Sequence, residues 1–78
     1  MMEEETQFVL APNPSQDIVQ IISKHPLESL QLFGLNGSLI KELKPQIQFY
    51  DLSDIPPGIY FISASNETGR MIQKLVIE

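Results

Sequence analysis

The sequence predicts an all-β domain, an immunoglobulin-like antiparallel β-sandwich of about seven short strands. Three observations predict it. Apolar runs rich in β-branched and aromatic residues recur along the chain, separated by turn signals roughly every ten residues. No segment sustains a helical period: the best competitor, residues 16–30, carries a β-branched run and is interrupted by Pro26. The stretch Asp51-Leu52-Ser53-Asp54-Ile55-Pro56-Pro57-Gly58-Ile59-Tyr60 has the chemistry of a corner between two sheets. Neither proline can donate to a ladder, and Gly58 lets the chain turn back. Tyr60 follows, placed to pack its ring inward and send its hydroxyl to nearby backbone, the logic of a tyrosine corner.

Residues 1–6 read as a disordered polar tail, and 7–78 as the single folded domain. The first strand is expected over 7–11. Pro12-Asn13-Pro14-Ser15 ends it, because both prolines fix φ and Asn13 is pushed toward an extended conformation. Asp17 to Ile22 is the second strand; its apolar residues point both ways, so the pattern assigns it no inner face. Ser23-Lys24-His25-Pro26 is a loop. In the third strand, Ser29 to Phe33, Leu30 and Leu32 share the core face and Phe33 lies on the other. Asn36-Gly37 signals a hairpin with a type I′ turn, which demands positive φ at both residues. Ser38 to Leu43 returns as the fourth strand. Ile47 to Leu52 is the fifth, with Ile47 and Phe49 alternating against Gln48. Beyond the corner, Ile59 to Ser63 is the sixth strand. A hairpin loop over 66–69 ends on Gly69, suited to a left-handed position, and Arg70 to Ile77 is the seventh strand.

The chain has 78 residues, a net charge of −5 and 42% hydrophobic content. Its small size limits the surface it can bury. The scattered Lys24, Lys41, Lys44, Arg70 and Lys74 offer no basic patch, which argues against nucleic acid as a partner. There is no cysteine, so disulfides, thiol catalysis and zinc–thiolate sites are excluded. No apolar run is long enough to span a bilayer as a helix. Met1-Met2-Glu3-Glu4-Glu5 is acidic and lacks the apolar core of a signal peptide, so export would depend on an upstream segment; the paired Met reads as a start added to an excised fragment, or else as the start of a genuine short protein.

A search for chemistry yields no catalytic, cofactor or metal constellation, so the domain reads as non-enzymatic, with no small-molecule substrate. His25, the only histidine, has no nameable triad partner and reads as a solvated loop residue. Asp51, Ser53 and Asp54 lack the oxygen spacing of a calcium loop and read as acceptors for turn N–H groups. Asn36-Gly37-Ser38 and Asn66-Glu67-Thr68 match the glycosylation sequon, but turn chemistry already explains both. Exposed aromatics such as Phe33 or Tyr50 offer surfaces on which a sugar would stack.

Pro12-Asn13-Pro14 followed by Asp17, then Leu30-Gln31-Leu32-Phe33-Gly34-Leu35-Asn36-Gly37, then Asp51 to Tyr60, then Gly69 with Lys74-Leu75-Val76-Ile77, occur in order along the chain. Together they resemble the C-terminal sorting domain of the type IX (Por) secretion system of Bacteroidota, type A, over about Phe8 to Ile77. Gly34 departs from the Asp usual there, and Glu78 from the Lys or Arg that often ends the family. The resemblance implies that an upstream, covalently fused passenger crosses the inner membrane on its own signal. The sandwich then folds in the periplasm, the outer-membrane translocon recognises it, and a surface sortase-like protease removes it. It thus implies final localisation at the cell surface or outside the cell. It points to Pro12, Asn13, Pro14, Gly69, Lys74, Leu75, Val76 and Ile77 for recognition, and to Asp51, Pro57, Gly58 and Tyr60 as the structural corner. Self-association through an exposed edge strand is a further expectation. The other reading from the sandwich pattern is an immunoglobulin-like adhesion or carbohydrate-binding accessory module.

Overall fold

The structure, a computed structural model, describes residues 8–12, 17–45, 47–67 and 69–78. The expected tail over 1–6, Gln7 of the first strand, Asn13, Pro14 and Thr68 fall outside them. The described residues form β1 (Phe8–Ala11), β2 (Ile18–Ser23), β3 (Ser29–Gly34), β4 (Leu39–Leu43), β5 (Phe49–Asp51), β6 (Gly58–Asn66) and β7 (Gly69–Ile77).

These strands build two antiparallel sheets, ordered β1-β2-β5 and β4-β3-β6-β7. That order is the immunoglobulin-like one: A, B and E in one sheet, and C′, C, F and G in the other. The inner faces meet in one core. β1 contributes Phe8 and Leu10, β2 Val19 and Ile21, and β3 Leu30 and Leu32. β6 adds Ile62 and Ala64, and β7 Leu75 and Ile77. At two-residue spacing each strand sends alternate side chains inward, so Leu30 pairs with Ala64, and Leu32 with Ile62, on the buried face. The Gln73 side-chain amide donates to the Phe8 carbonyl and ties β7 to β1 across the two sheets.

The inner face of β2 holds Val19 and Ile21, leaving Ile18 and Ile22 outside. In β5 the inward residue is Tyr50, with Leu52 just past the strand, whereas Ile47 and Phe49 are exposed. The strand is shorter than the expected 47–52. Backbone bonds from Ile21 N–H to Gln48 O and from Leu52 N–H to Asp17 O prolong its pairing with β2 on either side.

The β3–β4 hairpin differs from expectation. No residue other than glycine has positive φ among those described, and only Gly37 in this loop does, at 88°. Gly37 N–H donates to Gly34 O at 2.9 Å, and Gly34 N–H to Ser38 O at 2.8 Å. The loop is therefore a three-residue connection, a type I-like turn followed by glycine in the left-handed region, and not the two-residue I′ turn. Asn36 keeps negative φ because its side chain is otherwise engaged: Oδ1 accepts from Ser38 N–H at 3.1 Å and from Ser38 Oγ at 2.8 Å. The register of β3 against β4 shifts by one residue beyond this turn.

Candidate functional site

The β5–β6 connection is built from satisfied turns. Asp51 Oδ1 accepts the Ser53 N–H at 3.0 Å, and Ile55 N–H donates to Leu52 O at 3.0 Å. That geometry tucks Leu52 and Ile55 under the sandwich and leaves Pro56 and Pro57 in solvent. Tyr60 packs partly against the core and donates its hydroxyl to Pro56 O at 2.6 Å, four residues upstream. Gly58 has φ of 157°, and a Cβ there would lie 3.5 Å from the Tyr60 ring. The Ser53 backbone N–H, followed by its hydroxyl, holds the Asp51 carboxyl below the usual carboxylate range. Asp54 pairs with Lys41 at 3.3 Å, a solvent-exposed contact of small energetic weight. Asp51 and Asp54 thus serve turn and surface, and no group of three or more His, Asp or Glu able to hold a metal ion occurs among the described residues.

Tyr50 is not available for stacking. Its ring is 5% exposed and its hydroxyl donates to the Lys44 carbonyl. Burial pushes its phenol above the ordinary value, against a smaller lowering from a hydrogen bond with the Ile47 backbone. The sequence pattern misplaced it because Phe49, beside it, is equally apolar; a buried tyrosine also needs a hydroxyl partner, and Lys44 supplies one from six residues away. His25 is half-buried rather than solvated. Its loop is held by Ser23 Oγ donating to His25 O at 2.7 Å, its Nε2 is enclosed without a hydrogen-bond partner, and it lines a shallow depression with Pro26, Pro45 and Ile47.

The residues singled out for recognition are dispersed. Pro12 is exposed at the end of β1, after a cis Ala11–Pro12 bond. Gly69 opens β7 opposite Asn66. Within 74–77 the strand period divides the set: Leu75 and Ile77 are core, while Lys74 and Val76 face outward. Asn66 of the second sequon is buried, so turn and core packing account for it.

Sequence patterning put Phe33 on the outer face of the four-stranded sheet but did not bring its neighbours together there. Phe33, Phe61, Ser63, Arg70 and Ile72 gather there, beside the β3–β4 loop, around a depression of about 370 Å³. The signal was the alternation itself, since every inward Leu or Ile of β3, β6 and β7 dictates an outward neighbour.

What this sandwich offers is surface: the described β3–β4 and β5–β6 turns bond internally and the outer faces carry apolar and charged groups. The chain is matched by the family model of the secretion system C-terminal sorting domain over residues 9–78. It belongs to that family. The domain is accordingly a C-terminal sorting signal for type IX secretion, which implies an upstream passenger and export to the cell surface or extracellular space. Among curated proteins no match is found.

Proposed function

We propose that this sandwich acts as a folded address label of a bacterium of the Bacteroidota. A passenger fused upstream enters the periplasm, where the domain folds. The outer-membrane type IX translocon engages the domain, and a surface sortase-like protease then removes it. The observation that carries the reading is the family match over 9–78, which spans all seven strands save Phe8. A folded label is recognised through what it displays. Among the residues proposed for recognition, Lys74, Val76, Gly69 and Pro12 are at the surface in whole or part, with Asn13 and Pro14 beyond Pro12 in the chain. Leu75 and Ile77 hold β7 in register from inside, and Asp51, Pro57, Gly58 and Tyr60 hold the corner.

Fusing the chain behind an exported reporter in a type IX-competent bacterium tests this. The reporter is expected at the cell surface or in the medium, and in the periplasm when the translocon is deleted. A folded, intact fusion that stays in the periplasm of the competent strain overturns the reading.

A further inference from the structure

We propose that the outer face of the four-stranded sheet is a docking surface for an extended protein segment that carries a bulky apolar side chain next to a carboxylate. The register places Leu39, Phe33, Phe61 and Lys74 in one row across the sheet. The next row holds Glu42, Gln31, Ser63 and Ile72, and beyond it lie Ser29, Ser65 and Arg70. Alternation puts all of them outside, because their neighbours Leu30, Leu32, Ile62 and Leu75 are fully buried.

Around the β3–β4 loop this face carries large apolar side chains where a fully solvated one would be polar. Ile72 is 60% exposed and Leu35, in the adjoining loop, 69%. With Phe33 and Phe61 they surround the 370 Å³ depression, whose floor includes the nearly buried Ser63. Apolar side chains gathered beside a depression and rimmed by polar residues fit an interaction site.

Charge selects the occupant. The chain carries a net charge of −5, yet Arg70 lines the depression and Lys74 stands on the same face of β7. The carboxylate of this face in the strands, Glu42, is on β4 at the opposite edge. Arg70 and Lys74 place two cations on this face of an acidic domain, a setting that favours a partner carboxylate and disfavours a second acidic copy of this chain. An apolar side chain would enter between Phe33, Phe61 and Ile72, and the adjacent carboxylate would meet the Arg70 guanidinium.

The proposal rests on the reading that a protein receptor recognises the folded domain, and its tests separate the two. The first uses the isotope-labelled chain and two capped pentapeptides with phenylalanine at the centre and alternating valine, one flanked by aspartates and the other by lysines. The aspartate peptide is expected to give saturable amide shifts at Phe33, Phe61, Arg70 and Ile72, and Arg70→Glu to weaken it by about tenfold. No saturation, equal shifts with both peptides, or shifts confined to other faces overturns the proposal. So does a dimer in sedimentation that Ile72→Asp dissolves, since a second copy would then be the occupant. The second test places Arg70→Glu and Ile72→Asp, each with unchanged melting temperature, in the reporter fusion. Loss of delivery with folding intact supports the proposal, whereas delivery equal to the parent overturns it. If the parent fusion itself is not delivered, the sorting reading fails, and the peptide titration alone decides the docking surface.

Discussion

Tyr50 and Tyr60 place their rings in different settings and satisfy their hydroxyls alike, on a backbone carbonyl upstream. Tyr60 is half-exposed and bonds Pro56 O at 2.6 Å, whereas Tyr50 is enclosed and bonds Lys44 O. The difference has a pH consequence. Burial raises the Tyr50 phenol above its ordinary value. A group raised in the folded state stabilises the fold fully below its unfolded pKa, and that contribution is lost as pH rises through the folded value. Above about pH 10 the unfolded chain ionises first, so the native state loses ground. Tyr50→Phe removes this alkaline loss. At pH 7 it costs about 1 kcal/mol for the missing hydrogen bond, and its disadvantage shrinks or reverses above pH 10. Urea unfolding at both pH values checks it; parallel losses for parent and variant would refute the account. Asp51 runs the other way. Its carboxyl is depressed, so the stability it lends is present above the unfolded pKa, near 3.8, and is lost as pH falls through the lower folded value. The acceptor role of Asp51 and the upstream bond of Tyr60 were legible in the sequence, because turn residues act on neighbours a few positions away. The inward choice of Tyr50 over Phe49 was not, because it depends on which face of β5 turns toward the opposite sheet.

Element by element, all seven strands were legible, as were the Leu30 and Leu32 core positions. β-branched runs between Pro, Gly and Asn clusters have few other folds open to them. What remained hidden was orientation wherever both faces of a strand are apolar, as in β2 and β5, and turn type wherever a side chain competes with the backbone. The β3–β4 loop shows the second case. Asn36 was expected at positive φ, and its side chain instead holds Ser38. All the left-handed strain of the loop therefore falls on Gly37, at φ 88°, with nothing within 4 Å of where a Cβ would stand. Gly37→Ala is expected to cost about 1–2 kcal/mol from backbone conformation alone, with no steric part. Asn36→Ala should cost less, since an exposed side-chain bond is worth about 0.5–1.5 kcal/mol. If Asn36→Ala proves the more damaging in thermal melts, the type of turn has been misassigned.

For the molecule as a whole, 78 residues leave a thin margin, about 4–12 kcal/mol at typical stability per residue. The core is accordingly shared among all strands, and β1, with four residues, inserts Phe8 at 2% exposure while Gln73 holds its carbonyl from the opposite sheet. β1 is the first strand in chain order, the side from which an upstream passenger would come. Phe8→Ala removes a fully buried ring and should cost about 3–5 kcal/mol. For a domain of this size that is a fall in melting temperature of more than about 10 °C. Val9, the next residue, is 55% exposed, and Val9→Ala should leave the melting temperature nearly unchanged. Calorimetry on the pair separates burial from mere position in the chain. Equal shifts would show that β1 is an appendage and that the core closes without it. A large shift for Phe8→Ala alone, with loss of reporter delivery at growth temperature, would show that the sorting signal is the folded sandwich and not a linear motif within it.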